Sequence, residues 1–488
     1  MMQIEIEEAG RRGAQMIELR LDFLAKAPDF KRLLENKPCP LLATVRRHYD
    51  GGRWTGPEDQ RQILLRQATV AGFDWIDVET DIANAIPRFR NVKRIVSYHN
   101  LRETPEKLEE IYAAMCKQDA DVIKIAVLAR RPSDNLRVLD LMRNARRPTA
   151  AFCMGDMSMP SRILGAKYGA PFAYAAFNKE RGVAPGLPSF AEMKDVYHYD
   201  AVNADTQVFG VVGDPVAHSL SPLLHNAANR AVGFNGVYLP FHVPHGELPE
   251  FLNGFETIPV SGYSVTIPHK EAAAAEAKVR DQTVMLTEAA NTLVRGKEGF
   301  AAYNTDFVAV QETLAANLPS NTPGVPARLE DLTVLVLGAG GVAHAVAHAL
   351  HAAGSRVTVT NRNIDRAQKL ASEVGCRFVA WEARHSQLCD LLVNCTAVGM
   401  HPNVDESPIH ASFLKPGLKV FDTIYTPEST LLIKDARTRG CHVVTGGDMF
   451  VRQAAAQFRL FTGKEPPLEL MRAEMSRALS PLHWRGEQ

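Results

Sequence analysis

The run "DVIKIAV", Asp121 to Val127, sets one lysine among apolar, mostly β-branched residues. A buried strand ammonium without a partner costs several kcal/mol or loses its proton. Lys124 therefore lies off the strand, snorkels at its end, or serves as a reactive group. Further along, "GYSVTIPHK" closes an apolar run with Thr266 and Lys270, and "ANTLV" and "YNTDF" follow with Asn291 and Asp306. A lysine and an aspartate that meet in a cleft give an ammonium held by a carboxylate, suited to proton transfer to a hydroxyl or carbonyl. The loop "HSLSP" offers Ser219 and Ser221, two apart and able to face one ligand, although loop serines are more often turn residues.

A fourth stretch, "VLGAGGVAHA", sets Gly338, Gly340 and Gly341 between an apolar strand and a helix, with Ala343 where strict GxGxxG carries glycine. Backbone amides and a helix N-terminus there accept a pyrophosphate; a tight turn is the plainer alternative. About 20 residues on, Asn361 and Arg362 stand where an NAD-binding chain carries an acid for the ribose hydroxyls. Arg362 and Arg366, one helical turn apart, suit a 2′-phosphate and point to NADP(H), against a merely solvated helix start.

These residues need scaffolds to hold them. Between residue 16 and about 177, seven short apolar runs alternate with helix-length spacers: "MIELRLD", "LLATVR", "WIDVET", "RIVSYH", "DVIKIAV", "TAAFCMG" and "FAYAAF". Such alternation means βαβ units and a parallel sheet. Their polar residues fall inside the runs or at the C-terminal ends, where (β/α)8 barrels keep their chemistry. The class is α/β, with an N-terminal (β/α)8-type barrel whose first strand is missing. Extending the reading frame upstream of Met1 is expected to reveal a short apolar strand. Strand alternation turns Val122, Lys124 and Ala126 to one face, the barrel lumen, and Ile123, Ile125 and Val127 to the other.

A proline- and glycine-bearing stretch ends near Asn203, and a second, "NLPSNTPGVPARLEDL", precedes the glycine loop. The expected domains are 1–203, a barrel; 204–320 with 451–488, a substrate lobe; and 321–450, a Rossmann-like nucleotide lobe. The late helix "FVRQAAAQFRLFTG" is expected to pack back on the substrate lobe. With 55 basic and 55 acidic residues among 488, no basic surface for nucleic acid or membrane is foreseen. Seven cysteines without a CxxC pair or metal-ligand spacing suit a reduced compartment. No run approaches the roughly 18 residues of a membrane helix, and the start lacks a signal-peptide pattern. A cytoplasmic enzyme acting on small molecules, without a metal, is the expectation.

In this order, SxS, TxPHK, NT, NTD, GAGG, NRxxxR and "DMFVRQAAAQF" resemble shikimate dehydrogenase over about 280 residues. The resemblance implies that Ser219, Ser221, Thr266, Asn291, Asp306 and Gln453 bind shikimate, with Tyr425 close by. It further implies that Lys270 and Asp306 form the catalytic pair, Lys270 protonating the carbonyl oxygen as NADPH delivers hydride. Gly338, Ala339, Gly340, Gly341, Val342 and Ala343, with Asn361, Arg362 and Arg366, would hold NADP(H). Asn394, Thr396, Met400, Gly447 and Met449 match positions lining the nicotinamide site.

The first half, through "ELRLD", "TVRRHYDGG", "VSYHN", "VIKIAV", "SRILGAKYGAPFAYA" and "APG", resembles type I 3-dehydroquinate dehydratase. That family implies an imine on Lys124 with His99 as general base and acid. Glu18, Arg20 and Arg46 would hold ring hydroxyls or position groups, and Arg162 the substrate carboxylate. Structural salt bridges, such as Glu18 with Arg20, are the alternative. Asp50 stands where the family's histidine-paired glutamate is expected, one methylene shorter. Val183 and Leu187 replace the polar residues flanking APG in the lid; each lost hydrogen bond costs about 1 to 3 kcal/mol, so slower turnover or weaker binding is expected with the imine chemistry intact. The leading reading is a bifunctional enzyme of consecutive reactions. Alternatives are an active dehydrogenase with an impaired or scaffold-only barrel, and a regulatory pseudo-enzyme of the quinate pathway.

Overall fold

The computed structural model describes residues 2–178, 180, 182, 184–319, 327–330 and 332–480. The chain forms two compact units: Met1–Thr206 with Leu239–Val243 and Phe251–Ile258, and the remainder.

In the first unit, β1 (Ile17–Arg20), β2 (Leu41–Thr44), β3 (Trp75–Glu79), β4 (Lys93–Asn100), β5 (Val122–Leu128) and β6 (Thr149–Met154) form one sheet in chain order. Every pairing is parallel. Helices such as Glu58–Ala71, Leu108–Met115 and Ser133–Arg143 make the crossovers that parallel neighbours require. The two faces of β5 enter different cores. Ile123, Ile125 and Val127 join the large cluster with Leu41, Ala43 and Val96, whereas Val122 packs with Leu42, Ile95 and Ala150. The alternation expected for Lys124 is therefore present. The seventh run, residues 172–177, differs: it forms no strand, and its ladder is one isolated bridge between Ala176 and Ser189. Phe172 and Tyr174 stack edge to face with centroids 5.6 Å apart. Aromatic packing gives the run its apolar look without a neighbouring strand to pair it.

After residue 206 comes a mixed sheet of β7 (Gln207–Gly213), β8 (Gly236–His242, whose residues from Leu239 on are counted with the first unit), β9 (Val260–Val265), β10 (Val279–Arg280), β11 (Thr292–Arg295) and β12 (Phe300–Tyr303), in the order β10-β12-β11-β9-β7-β8. A second sheet holds β13 (Thr333–Leu337), β14 (Arg356–Asn361), β15 (Arg377–Ala380), β16 (Leu391–Asn394), β17 (Lys419–Asp422) and β18 (His442–Thr445), in the order β15-β14-β13-β16-β17-β18. This is the doubly wound order, with its switch point between β13 and β16, where such sheets bind ligands. The helix Gly446–Thr462 packs Val451, Ala454 and Phe458 against Leu224 and Ala228 of the helix Ser221–Ala231, as the sequence led one to expect. Among the described residues no helix is long and apolar enough to cross a membrane.

Two candidate active sites

Register lines up the first site. Thr44 pairs with Asp77, Glu79 with Ser97, and Ser97 with Lys124, so these side chains leave one face of the sheet in a row. Lys124 Nζ lies 3.0 Å from Asp77 Oδ2, with 7 % and 0 % of the two side chains exposed. The same oxygen lies 2.7 Å from an Arg46 terminal nitrogen, which makes no aligned hydrogen bond, so that contact is an ion pair only. The other Arg46 nitrogen donates to Glu79 at 2.6 Å and to Ser97 Oγ at 3.0 Å. Ser97 Oγ in turn donates to Asp77 Oδ1 at 2.5 Å. Arg61, wholly buried, continues the alternation with Glu79 at 2.8 Å and Glu58 at 2.7 Å. Burial alone would raise the Asp77 pKa; the Arg46 and Lys124 charges override it and hold the carboxyl far below its usual range.

The structure thus sets a carboxylate between Lys124 and the Arg46 guanidinium. The Tyr174 ring, 4.2 Å from Nζ, covers another side. His99, at the end of β4, is driven well below its ordinary pKa, first by burial and then by the Arg46 and Lys124 charges, so it stands neutral. Its Nδ1 has no hydrogen-bond partner among the described residues. Among the described residues Asp50 makes no pair with His99; it accepts from Arg47 at 2.6 Å. Nor does Glu18 pair with Arg20: Glu18 accepts from Thr44 at 2.6 Å, and Arg20 meets Asp22 at 2.7 Å.

Arg162 is buried with no carboxylate partner among the described residues. It donates to Ser158 Oγ at 3.1 Å, and burial lowers its pKa to about 10. The lid residue Pro185 accepts from Gly155 N at 3.0 Å, and a Cβ on Gly186, whose φ is +68°, would stand 2.2 Å from the Gly155 carbonyl oxygen. Leu187 is half-buried beside it; Val183 lies outside the described residues. Sequence reasoning missed Asp77, Glu79, Ser97 and Tyr174. Two acids at i and i+2 in the apolar run "WIDVET" were the available signal.

In the second site, Lys270 opens the helix Lys270–Glu276 and Asp306 lies in the first turn of Thr305–Asn317. Lys270 Nζ meets Asp306 Oδ2 at 2.6 Å, with 14 % and 10 % exposed. A helix N-terminus favours the carboxylate. The Asn291 side chain is fixed by Thr305, donating to its Oγ at 2.9 Å and accepting from its backbone N–H at 2.8 Å. Behind Ser221 runs a buried chain that sequence did not reveal: Tyr238 Oη donates to Ser264 at 2.6 Å, Ser264 to Gln457 at 2.7 Å, and Gln457 to the Asn291 carbonyl at 3.1 Å. Ser219 Oγ accepts from the Ser221 backbone at 3.2 Å, and Thr266 is half-buried just after β9. Tyr425 stacks on Phe450 at 4.4 Å, and Gln453 donates to the Phe450 carbonyl at 2.9 Å.

A cleft of about 180 Å³ opens at the switch point, lined by Gly338, Ala339, Gly340, Asn361, Arg362, Trp381 and the loop from Cys395 to Val398, which includes Thr396. Gly338, at φ +114°, lies so close to the Cys395 carbonyl that a Cβ would stand 2.9 Å away, while Gly340 faces open space. A Cβ on Gly341 would be 3.6 Å from Lys270 Cδ, so the lysine stem passes beside the glycine loop. Arg362 and Arg366 are exposed, and neither guanidinium has a partner among the described residues. Several other expected cofactor residues support rather than line the cleft. Val342, Ala343 and Met449 pack in the core of this lobe, and Gly447 is buried in the first turn of its helix. Asn394 donates to Asp422 at 3.0 Å and accepts from Thr396 Oγ at 2.7 Å, tying down the loop. Met400 is 45 % exposed at the end of that loop.

A parallel sheet presenting a buried lysine, joined to a two-lobed unit with a doubly wound nucleotide fold, defines a two-site enzyme. The type I 3-dehydroquinase pattern matches residues 1–204. The shikimate dehydrogenase substrate binding domain matches 211–293, shikimate / quinate 5-dehydrogenase 323–402, and the shikimate 5′-dehydrogenase C-terminal domain 446–475. The chloroplastic bifunctional 3-dehydroquinate dehydratase/shikimate dehydrogenase of Arabidopsis thaliana is 36 % identical over 98 % of this chain and 82 % of its own length. Shikimate dehydrogenase (NADP(+)) of Methanosarcina mazei is 41 % identical over 56 % of this chain and 99 % of its own. Among solved structures, shikimate dehydrogenase from Thermus thermophilus in complex with NADP(H) and shikimate matches with TM-score 0.51 and 36 % identity, covering 56 % of this chain and all of that one (100 %). A shikimate dehydrogenase in complex with NADP+ gives TM-score 0.54 at 31 % identity, over 57 % of this chain and 98 % of that one. The chain belongs to the bifunctional 3-dehydroquinate dehydratase/shikimate dehydrogenase family. It is a multifunctional shikimate-pathway enzyme acting on small molecules.

Proposed function

We propose that residues 1–203 dehydrate 3-dehydroquinate to 3-dehydroshikimate through an imine on Lys124, and that the second half reduces this product to shikimate with NADPH. In the first unit, Lys124 Nζ attacks the ketone and His99, neutral, takes the neighbouring proton while the iminium accepts the electron pair. His99 then returns the proton to the departing hydroxyl. Glu18 and Arg20 bind ring hydroxyls, Arg46 holds the charge cluster in register, and Arg162 receives the substrate carboxylate. The observation that carries the reading is a buried lysine held against a carboxylate beside a neutral histidine.

For the second half we propose a substrate lobe, 204–320 with 451–488, and a nucleotide lobe, 321–450. Ser219, Ser221, Thr266, Asn291, Tyr425 and Gln453 hold the ring and carboxylate, and Asp306 orients Lys270, which protonates the carbonyl oxygen. The open space at Gly340 and the two free guanidinia at Arg362 and Arg366 fit a pyrophosphate and a 2′-phosphate. NADPH, when bound, supplies the hydride. A cytoplasmic setting is supported by seven free cysteines.

Borohydride reduction with 3-dehydroquinate, followed by peptide mapping, is expected to leave a stable adduct on Lys124; folded protein without one overturns the dehydratase assignment. For the other half, reduction of 3-dehydroshikimate is expected to prefer NADPH, and a preference for NADH overturns the role of Arg362 and Arg366.

A further inference from the structure

We propose that Asp77 is the counter-ion of Lys124 in both the resting and the covalent state, and so takes part in the dehydration. The inference rests on the imine reading above. Written from the resting site, the reaction joins an ammonium and a ketone to give an iminium and water. The N–C bond forms, the C–O bond breaks, and the oxygen leaves with two of the three ammonium protons. Nitrogen carries one positive charge before and after. Asp77 Oδ2, 3.0 Å from Nζ, therefore faces the same charge in both states.

The neighbouring charges make this carboxylate necessary. Arg46 approaches the same oxygen to 2.7 Å, so an iminium without Asp77 would be a second buried cation beside a guanidinium. Sharing also keeps the carboxylate from being stranded. When His99 removes the substrate proton, the C–H electron pair enters the ring system and the C=N pair settles on nitrogen, which becomes neutral. Asp77 then still holds the Arg46 contact and the Ser97 hydroxyl at 2.5 Å. A carboxylate paired to Lys124 alone would hold the iminium back from that step.

The test compares wild type, Asp77→Asn, Asp77→Glu and Ser97→Ala by intact mass after borohydride treatment at saturating 3-dehydroquinate. Binding of the alcohol analogue, in which a hydroxyl replaces the ketone, is measured alongside. Asp77→Asn is expected to lower the trapped fraction about tenfold or more and Asp77→Glu to restore part of it. Analogue binding should stay within about twofold, which damage to the pocket would not leave intact. Trapping by folded Asp77→Asn at the wild-type level overturns the proposal. If that variant does not fold, Ser97→Ala decides: a fall of about twofold or more supports the counter-ion, and unchanged trapping overturns it. Absence of an adduct in folded wild-type protein defeats the imine reading itself, and that outcome is distinct from a failure confined to the variants.

Discussion

Lys124 meets Asp77 at 3.0 Å inside a buried cluster, and that carboxylate is divided among a lysine, an arginine and a serine. Lys270 meets Asp306 at 2.6 Å beside an open cleft, and Asp306 has no second cation among the described residues. The pairs share their chemistry and differ in their surroundings. A lysine that forms a bond to substrate must pass through a neutral state, and a shared carboxylate tolerates losing it for that moment. A lysine that only donates a proton is best fixed by a carboxylate of its own. On the proposed roles, the number of partners on the acid distinguishes the covalent lysine from the proton-donating one within a single chain.

The largest effects are expected at the lysines. Lys124→Ala is expected to cut dehydration by at least about 10³-fold, since no covalent route remains, with reduction of 3-dehydroshikimate unchanged. Equal loss in both assays would mean that the sites are not independent. Lys270→Met should lower kcat for reduction by about 10²- to 10⁴-fold and leave the barrel untouched; a change confined to KM would show Lys270 to be a binding group only.

A finer contrast lies in pH. The folded His99 pKa is depressed, so the base stays unprotonated as pH falls through its ordinary value of 6.5. The acid limb of kcat/KM for dehydration is therefore expected below pH 6.5, and a limb at or above that value contradicts a neutral buried His99. The smallest effect concerns Asp422, whose pKa is raised from 3.8 to about 6 by burial, against hydrogen bonds from Thr430, Ile424 and Asn394. The folded state then holds a proton that the unfolded state releases, so this group subtracts stability as pH rises from 3.8 to about 6, and the deficit stays above that. Asp422→Asn should flatten this slope in thermal unfolding of the second unit, and a slope identical to wild type would place the titration elsewhere.

Much of this was legible in the sequence where a local rule decides. Period-two alternation fixed the face of Lys124 before any tertiary contact was known, because side chains on a strand have only two directions. The glycine loop and Arg362 were legible because strand, turn and helix follow each other directly. What escaped depends on neighbours far along the chain. Arg61 looks like a solvated helix residue, yet its guanidinium is buried against Glu79, 18 residues away. Glu18 and Arg20 share a face of β1, but Thr44 and Asp22 reach them first. The run at 172–177 has strand composition and lacks only a partner strand, which composition does not report. Asp50 matched its position but not its contact: its carboxylate accepts from Arg47, three residues earlier.

The alternating cluster around Lys124 also sets what the first unit can select. Arg20, Arg46 and Arg61 each have a carboxylate oxygen within 2.7 Å. Their fields close on themselves and extend little attraction to an arriving ligand. Arg162 is buried and has no carboxylate partner among the described residues, which on the proposed roles leaves its charge for an arriving carboxylate. If Arg162 receives the substrate carboxylate as proposed, preference for a carboxylated ring over a neutral one rests on that side chain, and discrimination between acid and amide substrates is separable from the machinery that makes and breaks the imine.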